Sequence, residues 1–227
     1  IEAIILDAKK RGIMPIINSI PKDRLNDFLS VYGEQVTIES KLGSFDFVYS
    51  IDDLATLGGK KYQKKRNHLN SFKKAYPVYE IEQITKENLH KVKEMAEVWY
   101  EEKANQDPEN DLSYEHNALI RAFDNFESLQ LDGIMITSGD KVLAFTMGSR
   151  LGVDTFDVQF EKAIPEAYSA INYEFANYIK NKYPDIKFLD REEDMGVEGL
   201  RKAKNSYHPH HMTEKYRARF KEEENDN

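Results

Sequence analysis

Residues 57–76, LGGKKYQKKRNHLNSFKKAY, hold seven lysines and arginines and no acid, in a chain of 227 residues whose net charge is −8. A run this basic is either a solvated helix face or a surface that holds something anionic. Tyr62, Leu69, Phe72 and Tyr76 recur at helical intervals and predict one buried stripe, with Lys60, Lys64 and Lys74 turned to solvent. Arg66 falls between Tyr62 and Leu69, on the packed side, where a guanidinium needs a carboxylate or a bound anion.

A second group spans DREEDMGVEGLRKAKNSYHP, residues 190–209. Arg191, Glu192, Glu193 and Asp194 follow an expected strand and precede an expected helix, where the helix dipole favours acids and open α/β sheets bind ligands. On that helix Leu200, Ala203 and Tyr207 share one face, and Arg201, Lys204 and His208 share another that can grip phosphate or carboxylate. The alternative is a capped helix with its charges in solvent. Asn172 sits early on a further helix, at the edge of its apolar stripe, where it is either a ligand contact or a hydrogen-bonded structural residue. Glu161 and Lys162, at the end of the preceding strand, read as a surface ion pair. His208, His210 and His211 cluster without the carboxylate spacing of a zinc site, so neither a metal nor a tightly bound cofactor is expected. No GxSxG, Walker loop or GxGxxG occurs.

The elements that must position these groups are legible from periodicity. The first part reads as helix 2–11, strand 13–18, helix 22–32, strands near 35–40 and 45–50, then the basic helix ended by Pro77. From Val78 come a short strand with Thr85 as N-cap, a helix with Leu89, Val92, Ala96 and Trp99 on one face, and a helix over 114–126. Strands at 130–138, 141–150 and 154–161 follow, then a helix over 166–182 with Tyr168, Ile171, Phe175 and Tyr178 inward. A strand at 187–189, a helix near 197–205 and a strand near 211–219 complete the chain. The expected division is a domain over 1–77, a domain over 78–220 and a disordered acidic tail over 221–227. Ile1 stands where a helix has already begun, so the first domain is expected to lack N-terminal elements. Cysteine is absent, which excludes disulfides and thiol nucleophiles and suits a cytoplasmic protein, with peripheral membrane association as the second option. No apolar run reaches the ~18–20 residues of a membrane span.

The order β-α-α-β-β-β-α-β-α-β over 78–220 resembles the GNAT acyltransferase fold, so the fold class expected is α/β (α+β): tandem GNAT-like domains, each a mixed central sheet flanked by helices. A conventional GNAT enzyme cradles the CoA pyrophosphate on a glycine-rich turn after its fourth strand. Here that turn reads Ala163-Ile-Pro-Glu-Ala-Tyr-Ser-Ala170, without glycine and with a proline that lacks an N–H.

Two motifs narrow the resemblance. Asp53-Leu-Ala-Thr-Leu-Gly-Gly-Lys-Lys61 with Lys65-Arg-Asn67 is similar to the GKK…RN element of lysylphosphatidylglycerol synthase C-terminal domains. Gly199-Leu-Arg-Lys-Ala-Lys-Asn-Ser-Tyr-His-Pro209 with Lys215-Tyr216 resembles their GLRRFKxKFHP…RY element. The resemblance is closer still to a branch of stand-alone bacterial proteins of this Fem/GNAT-type aminoacyltransferase superfamily. It implies an acyltransferase that moves an aminoacyl group from aminoacyl-tRNA to a hydroxyl or amine, of lipid-headgroup or cell-wall-precursor type. By carry-over, Lys61, Arg66 and Asn67 match the first motif, and Arg201, Lys204, His208 and Pro209 the second. The family's DLMR segment is replaced by Asp157-Val-Gln-Phe-Glu161.

Such a donor is already activated, so the protein must orient the nucleophile and stabilise an oxyanion. The roles expected are catalytic for Glu193, Asp194 and His208, and substrate-binding for Lys61, Lys65, Arg66, Asn67, Asn172, Arg191, Arg201, Lys204 and Tyr207. The tRNA partner would lie along the basic helix, 60–74. A GNAT N-acyltransferase using acyl-CoA or another thioester, and a noncatalytic RNA- or anion-binding module, are the competing readings.

Overall fold

The structure, a computed structural model, describes residues 1–106 and 112–221. Its elements run α1 (Glu2–Lys10), β1 (Ile16–Pro21), α2 (Lys22–Tyr32), β2 (Val36–Glu39), β3 (Asp46–Ser50), α3 (Ile51–Thr56), α4 (Gln63–Ala75), β4 (Glu80–Gln83), α5 (Leu89–Gln106), α6 (Ser113–Asp124), β5 (Asp132–Ser138), β6 (Lys141–Leu151), β7 (Thr155–Ala163), α7 (Tyr168–Lys182), β8 (Phe188–Asp190), α8 (Glu198–Asn205), β9 (His211–Thr213) and β10 (Lys215–Phe220). The expected order is present throughout, with α3 added. The strand expected at 13–18 is displaced to Ile16–Pro21, and that expected at 211–219 divides into β9 and β10. Thr85 does not cap α5: its own N–H donates to Asn88 Oδ1 at 2.8 Å, and the helix begins one residue after Asn88.

Two compact units emerge, each discontinuous in sequence. The first comprises 1–47, 193–206 and 211–227, and the second 48–192 and 207–210. The division expected near Pro77 does not coincide with them. Residues 48–76 belong to the second unit because α3 and α4 both pack on α7, and Asn177 of α7 donates to the Ala55 carbonyl at 3.0 Å. The acidic tail expected at 221–227 lies, beyond Lys221, outside the described residues.

In the first unit β10 runs antiparallel between β1 and β2, and Phe28 of α2 closes a small core with Ile20, Val36 and Ala218. Burial of these side chains offsets the entropy of ordering a short sheet. Gly43 is required here, because a Cβ on it would stand 2.6 Å from the Gly196 nitrogen.

The second unit carries a mixed sheet in the order β4-β5-β6-β7-β8-β3, antiparallel except for the β7–β8 pair. Strand β5 is buried almost end to end and β6 over 142–148, as a sheet covered on both faces demands. Leu89, Val92 and Ala96 of α5 pack with Phe123 of α6 on Met135, Phe145 and Met147. Helix α7 packs on β5–β7, with Phe175 against the Phe156 ring. Ile171 and Phe175 point inward as their spacing predicts, whereas Tyr168 is 40% exposed at the first turn. Register shifts at Met147/Gly148, where a Cβ would meet the Asp157 carbonyl at 1.7 Å, so only glycine fits.

Candidate functional site

In the second unit, the end of β7, the end of β8, the basic helix and the segment Tyr207–His210 supply one connected set of polar groups. Alternation along β7 sends Glu161 and Lys162 to opposite faces. They are not the surface ion pair expected from their adjacency. Lys162 pairs with Glu115 of α6 at 2.6 Å, its side chain 6% exposed and its ammonium 4.3 Å from the Trp99 ring centre. Glu161 accepts from Arg191 at 2.8 Å and from Asn172 at 3.1 Å, and the Asn172 amide also donates to the Tyr168 carbonyl at 2.8 Å. Both members of the Glu161–Arg191 pair are largely buried, with side chains 14% and 15% exposed. Burial opposes the Arg191 charge, and Glu161 together with the neighbouring Tyr49 and Tyr207 offsets it, holding the guanidinium pKa above its ordinary value.

Around that pair stand two tyrosines. The Arg191 guanidinium lies 5.5 Å from the Tyr207 ring centre and 5.8 Å from that of Tyr49. The Tyr207 hydroxyl donates to Ser169 at 3.3 Å, and Tyr62 donates to the Tyr207 carbonyl at 2.9 Å. Burial raises the pKa of the Tyr49 and Tyr207 phenols, so both stay protonated at neutral pH.

Lys65 completes the group. Its ammonium sits 3.6 Å from the Tyr207 ring centre, and burial, then Arg191 and Lys64, lower its pKa to about 8. No carboxylate offsets these effects. The sequence marked Lys65 as one cation among seven; only the fold sets it apart.

The remaining residues of the first motif are engaged locally. Lys61 pairs with Asp53 at 2.9 Å and lies over the Tyr62 ring. Among the described residues Arg66 is met by carbonyl and amide oxygens and not by a carboxylate. Its guanidinium donates to the Leu57 carbonyl, to the Gly59 carbonyl at 2.7 Å and to Gln63 Oε1 at 2.7 Å, tying the turn before α4 to the helix. Two backbone carbonyls and a side-chain amide take its donors, which residue spacing could not reveal. Asn67 accepts from Gln63 at 2.9 Å on the exposed face. His208, exposed and with φ +53°, is 3.2 Å from the Lys61 carbonyl and edge-on to Tyr62.

In the first unit the second motif forms its own closed set. Arg201 grips Asp194 with two bonds, Nε to Oδ2 at 2.5 Å and Nη2 to Oδ1 at 3.0 Å, and Asp194 also accepts from the Gly196 N–H at 2.8 Å. The Arg201 bonds first, then the Gly196 N–H, hold the fully buried Asp194 below the usual carboxylate range. Buried Lys204 donates to the Glu193 carbonyl at 2.7 Å, and the Glu193 carboxylate accepts from Lys215 at 2.8 Å. Lys215 also pairs with Asp46 at 2.7 Å. Met195 holds φ +52° and Gly196 φ +80°, the tight turn that aims Asp194 at Arg201.

The turn from β7 into α7 has the character read from its sequence. The Ile164 N–H is taken by the Leu143 carbonyl at 2.9 Å and the Ala167 N–H by the Ile164 carbonyl at 3.0 Å. Two N–H donors of this turn are therefore spent internally. Among the described residues no three His, Asp or Glu side chains are grouped as metal ligands, and no helix is long and apolar enough to cross a membrane.

Comparison with known proteins places these features in a lineage. The family model described as phosphatidylglycerol lysyltransferase, C-terminal, matches residues 1–219. A crystal structure of a conserved protein of unknown function from Bacteroides thetaiotaomicron superposes with a TM-score of 0.87 at 38% identity, covering 97% of this chain and 74% of that one. The L-PGS of Bacillus licheniformis shares the fold, with a TM-score of 0.68 at 15% identity over 97% of this chain and 72% of that one. An uncharacterised protein of Mycoplasmoides gallisepticum is 27% identical over 193 residues, 82% of this chain; the chain spans 59% of the length of that curated relative.

Proposed function

Because the chain belongs to the phosphatidylglycerol lysyltransferase C-terminal family, we propose that it is an acyltransferase that moves an aminoacyl group from aminoacyl-tRNA to a hydroxyl or amine acceptor. The observation that carries this reading is Lys65, a half-buried amine with a pKa near 8, set on the Tyr207 ring beside the Glu161–Arg191 pair. A general base is most effective when its pKa lies near the working pH.

The aminoacyl ester needs no covalent enzyme intermediate. The acceptor oxygen or nitrogen attacks the ester carbonyl as neutral Lys65 removes its proton. The positive charge of Arg191, oriented by Glu161 and in turn by Asn172, favours the tetrahedral oxyanion. Collapse breaks the bond to the ribose oxygen, which leaves with the proton from the Lys65 ammonium. Lys60, Lys64, Lys73 and Lys74 attract the tRNA backbone, a contribution that weakens as salt rises. The spent donors of the β7–α7 turn weigh against an acyl-CoA donor.

The test compares binding of aminoacylated and deacylated tRNA at two salt concentrations, then transfer by wild type, Lys65→Arg and Lys65→Met across pH 6–10. Preference for the charged tRNA, a transfer rate rising through about pH 8 and loss of about 100-fold or more in both variants support the reading. Full activity in Lys65→Arg would show a fixed cation to be sufficient and remove Lys65 as the base. Failure to distinguish charged from uncharged tRNA would remove the donor.

A further inference from the structure

A cavity of about 390 Å³ opens in the second unit between α5, the β5–β6 turn and the segment joining β7 to α7. Its walls are Met95, Val98, Trp99, Val142, Ile164 and Tyr168. Tyr168, one of these walls, accepts from the Asn172 amide through its carbonyl at 2.8 Å, so the cavity adjoins the Glu161–Asn172 network. That size falls within the range of small-molecule sites, about 300–1,000 Å³, and aromatic walls with a few polar groups are their usual lining.

The charges at its mouth indicate what would enter. Lys91 is matched by Glu82, at 3.1 Å, and Lys103 donates to the neutral Gln106 amide oxygen at 3.2 Å. Glu94, Glu102 and Asp140 line the cavity and have no ion-pair partner among the described residues. With Lys91 neutralised, these three carboxylates face only Lys103 and Lys141. The Trp99 ring is already faced by two cations, the Lys162 ammonium at 4.3 Å and the Lys103 ammonium at 5.7 Å from its centre, so a further cation there is disfavoured. Apolar matter is therefore favoured inside, and positive charge at the mouth.

We propose that this cavity binds a small amphipathic amine, with its apolar body against Trp99 and Tyr168 and its ammonium at the Glu94, Glu102 and Asp140 rim. The site adjoins the groups assigned to acyl transfer through Tyr168, and the proposal stands whether or not tRNA is the donor. Trp99 is the single tryptophan of the chain, so its fluorescence reports on the cavity directly.

The experiment titrates the protein with phenethylamine and, separately, with its neutral counterpart 2-phenylethanol, following Trp99 emission. The expected result is a saturable change, with the amine bound about fivefold more tightly than the alcohol, as exposed charge pairs allow. The triple variant Glu94→Gln, Glu102→Gln, Asp140→Asn, at three exposed positions, is expected to erase that preference while leaving the melting temperature and the alcohol affinity unchanged. No saturable response to the amine, equal affinity for both probes in wild type, or a preference that survives the triple variant would each overturn the proposal.

Discussion

The two basic motifs look alike in sequence and are used differently. In the second motif Arg201 is bound twice by Asp194, and Lys204 is held by the Glu193 carbonyl. These two cations are spent on shaping their own loop. In the first motif Lys61 and Arg66 are likewise engaged, but Lys65 stands half-buried against an aromatic ring, beside another cation. The difference teaches that a count of cations does not measure capacity to bind or to catalyse. What matters is which charges the fold leaves without compensation, because only those carry free energy available to a ligand or a proton.

Three stability measurements would break or sharpen this contrast. The largest effect is expected where a compensated charge is most buried. Glu161→Ala leaves Arg191 without its carboxylate, and urea unfolding is expected to show a loss of about 3 kcal/mol or more. A loss below about 1 kcal/mol would mean that the pair is well solvated and that Glu161 does not position Arg191.

A smaller loss, about 2 kcal/mol, is expected for Asp194→Ala, since Arg201 can turn to solvent while the Gly196 N–H loses its acceptor. The folded pKa of Asp194 lies below its unfolded value, so its contribution is complete above about pH 4 and is lost as pH falls through the folded value. The variant should thus differ most from wild type at neutral pH and converge with it in acid. A gap that persists undiminished at low pH would assign the loss to packing instead.

The smallest effect carries the opposite sign. Folding lowers the Lys65 pKa, so the folded state binds that proton less well than the unfolded chain, and the charged amine opposes folding below about pH 8. Lys65→Met is accordingly expected to leave stability unchanged or raise it slightly at pH 7, even as transfer is lost. Clear destabilisation would show that Lys65 holds the structure together and would place it with Arg66 and Arg201. A residue that costs stability yet is needed for turnover is what a functional site requires.

Much of the fold was legible because it rests on local periodicity. Of the stripe Tyr62, Leu69, Phe72 and Tyr76, Leu69 and Phe72 are buried on α4 and Tyr62 just before it, while Tyr76 after its end is partly exposed, and the α-α-β-β-β-α-β order from α5 to β8 follows from residues adjacent in the chain. The site was legible only in part. Asn172, Arg191 and Tyr207 meet in one network, but Glu161, which joins Asn172 to Arg191, read as half of a surface pair with Lys162. Period-two alternation of the strand was the available signal, since it separates neighbours onto opposite faces. Nothing local distinguishes Lys65 from Lys64.

Sequence alone determined most of the helices and strands, though not α3, with the family motifs and the absence of a glycine-rich pyrophosphate turn, because each depends on residues within a few positions of one another. Tertiary structure decided which charges are compensated. Asp194 reaches Arg201 through a left-handed turn, Arg66 finds carbonyls rather than a carboxylate, and Lys65 lands on a tyrosine from the far end of the chain. Desolvation and Coulomb interaction depend on distance in space, and that distance exists only once the chain has folded.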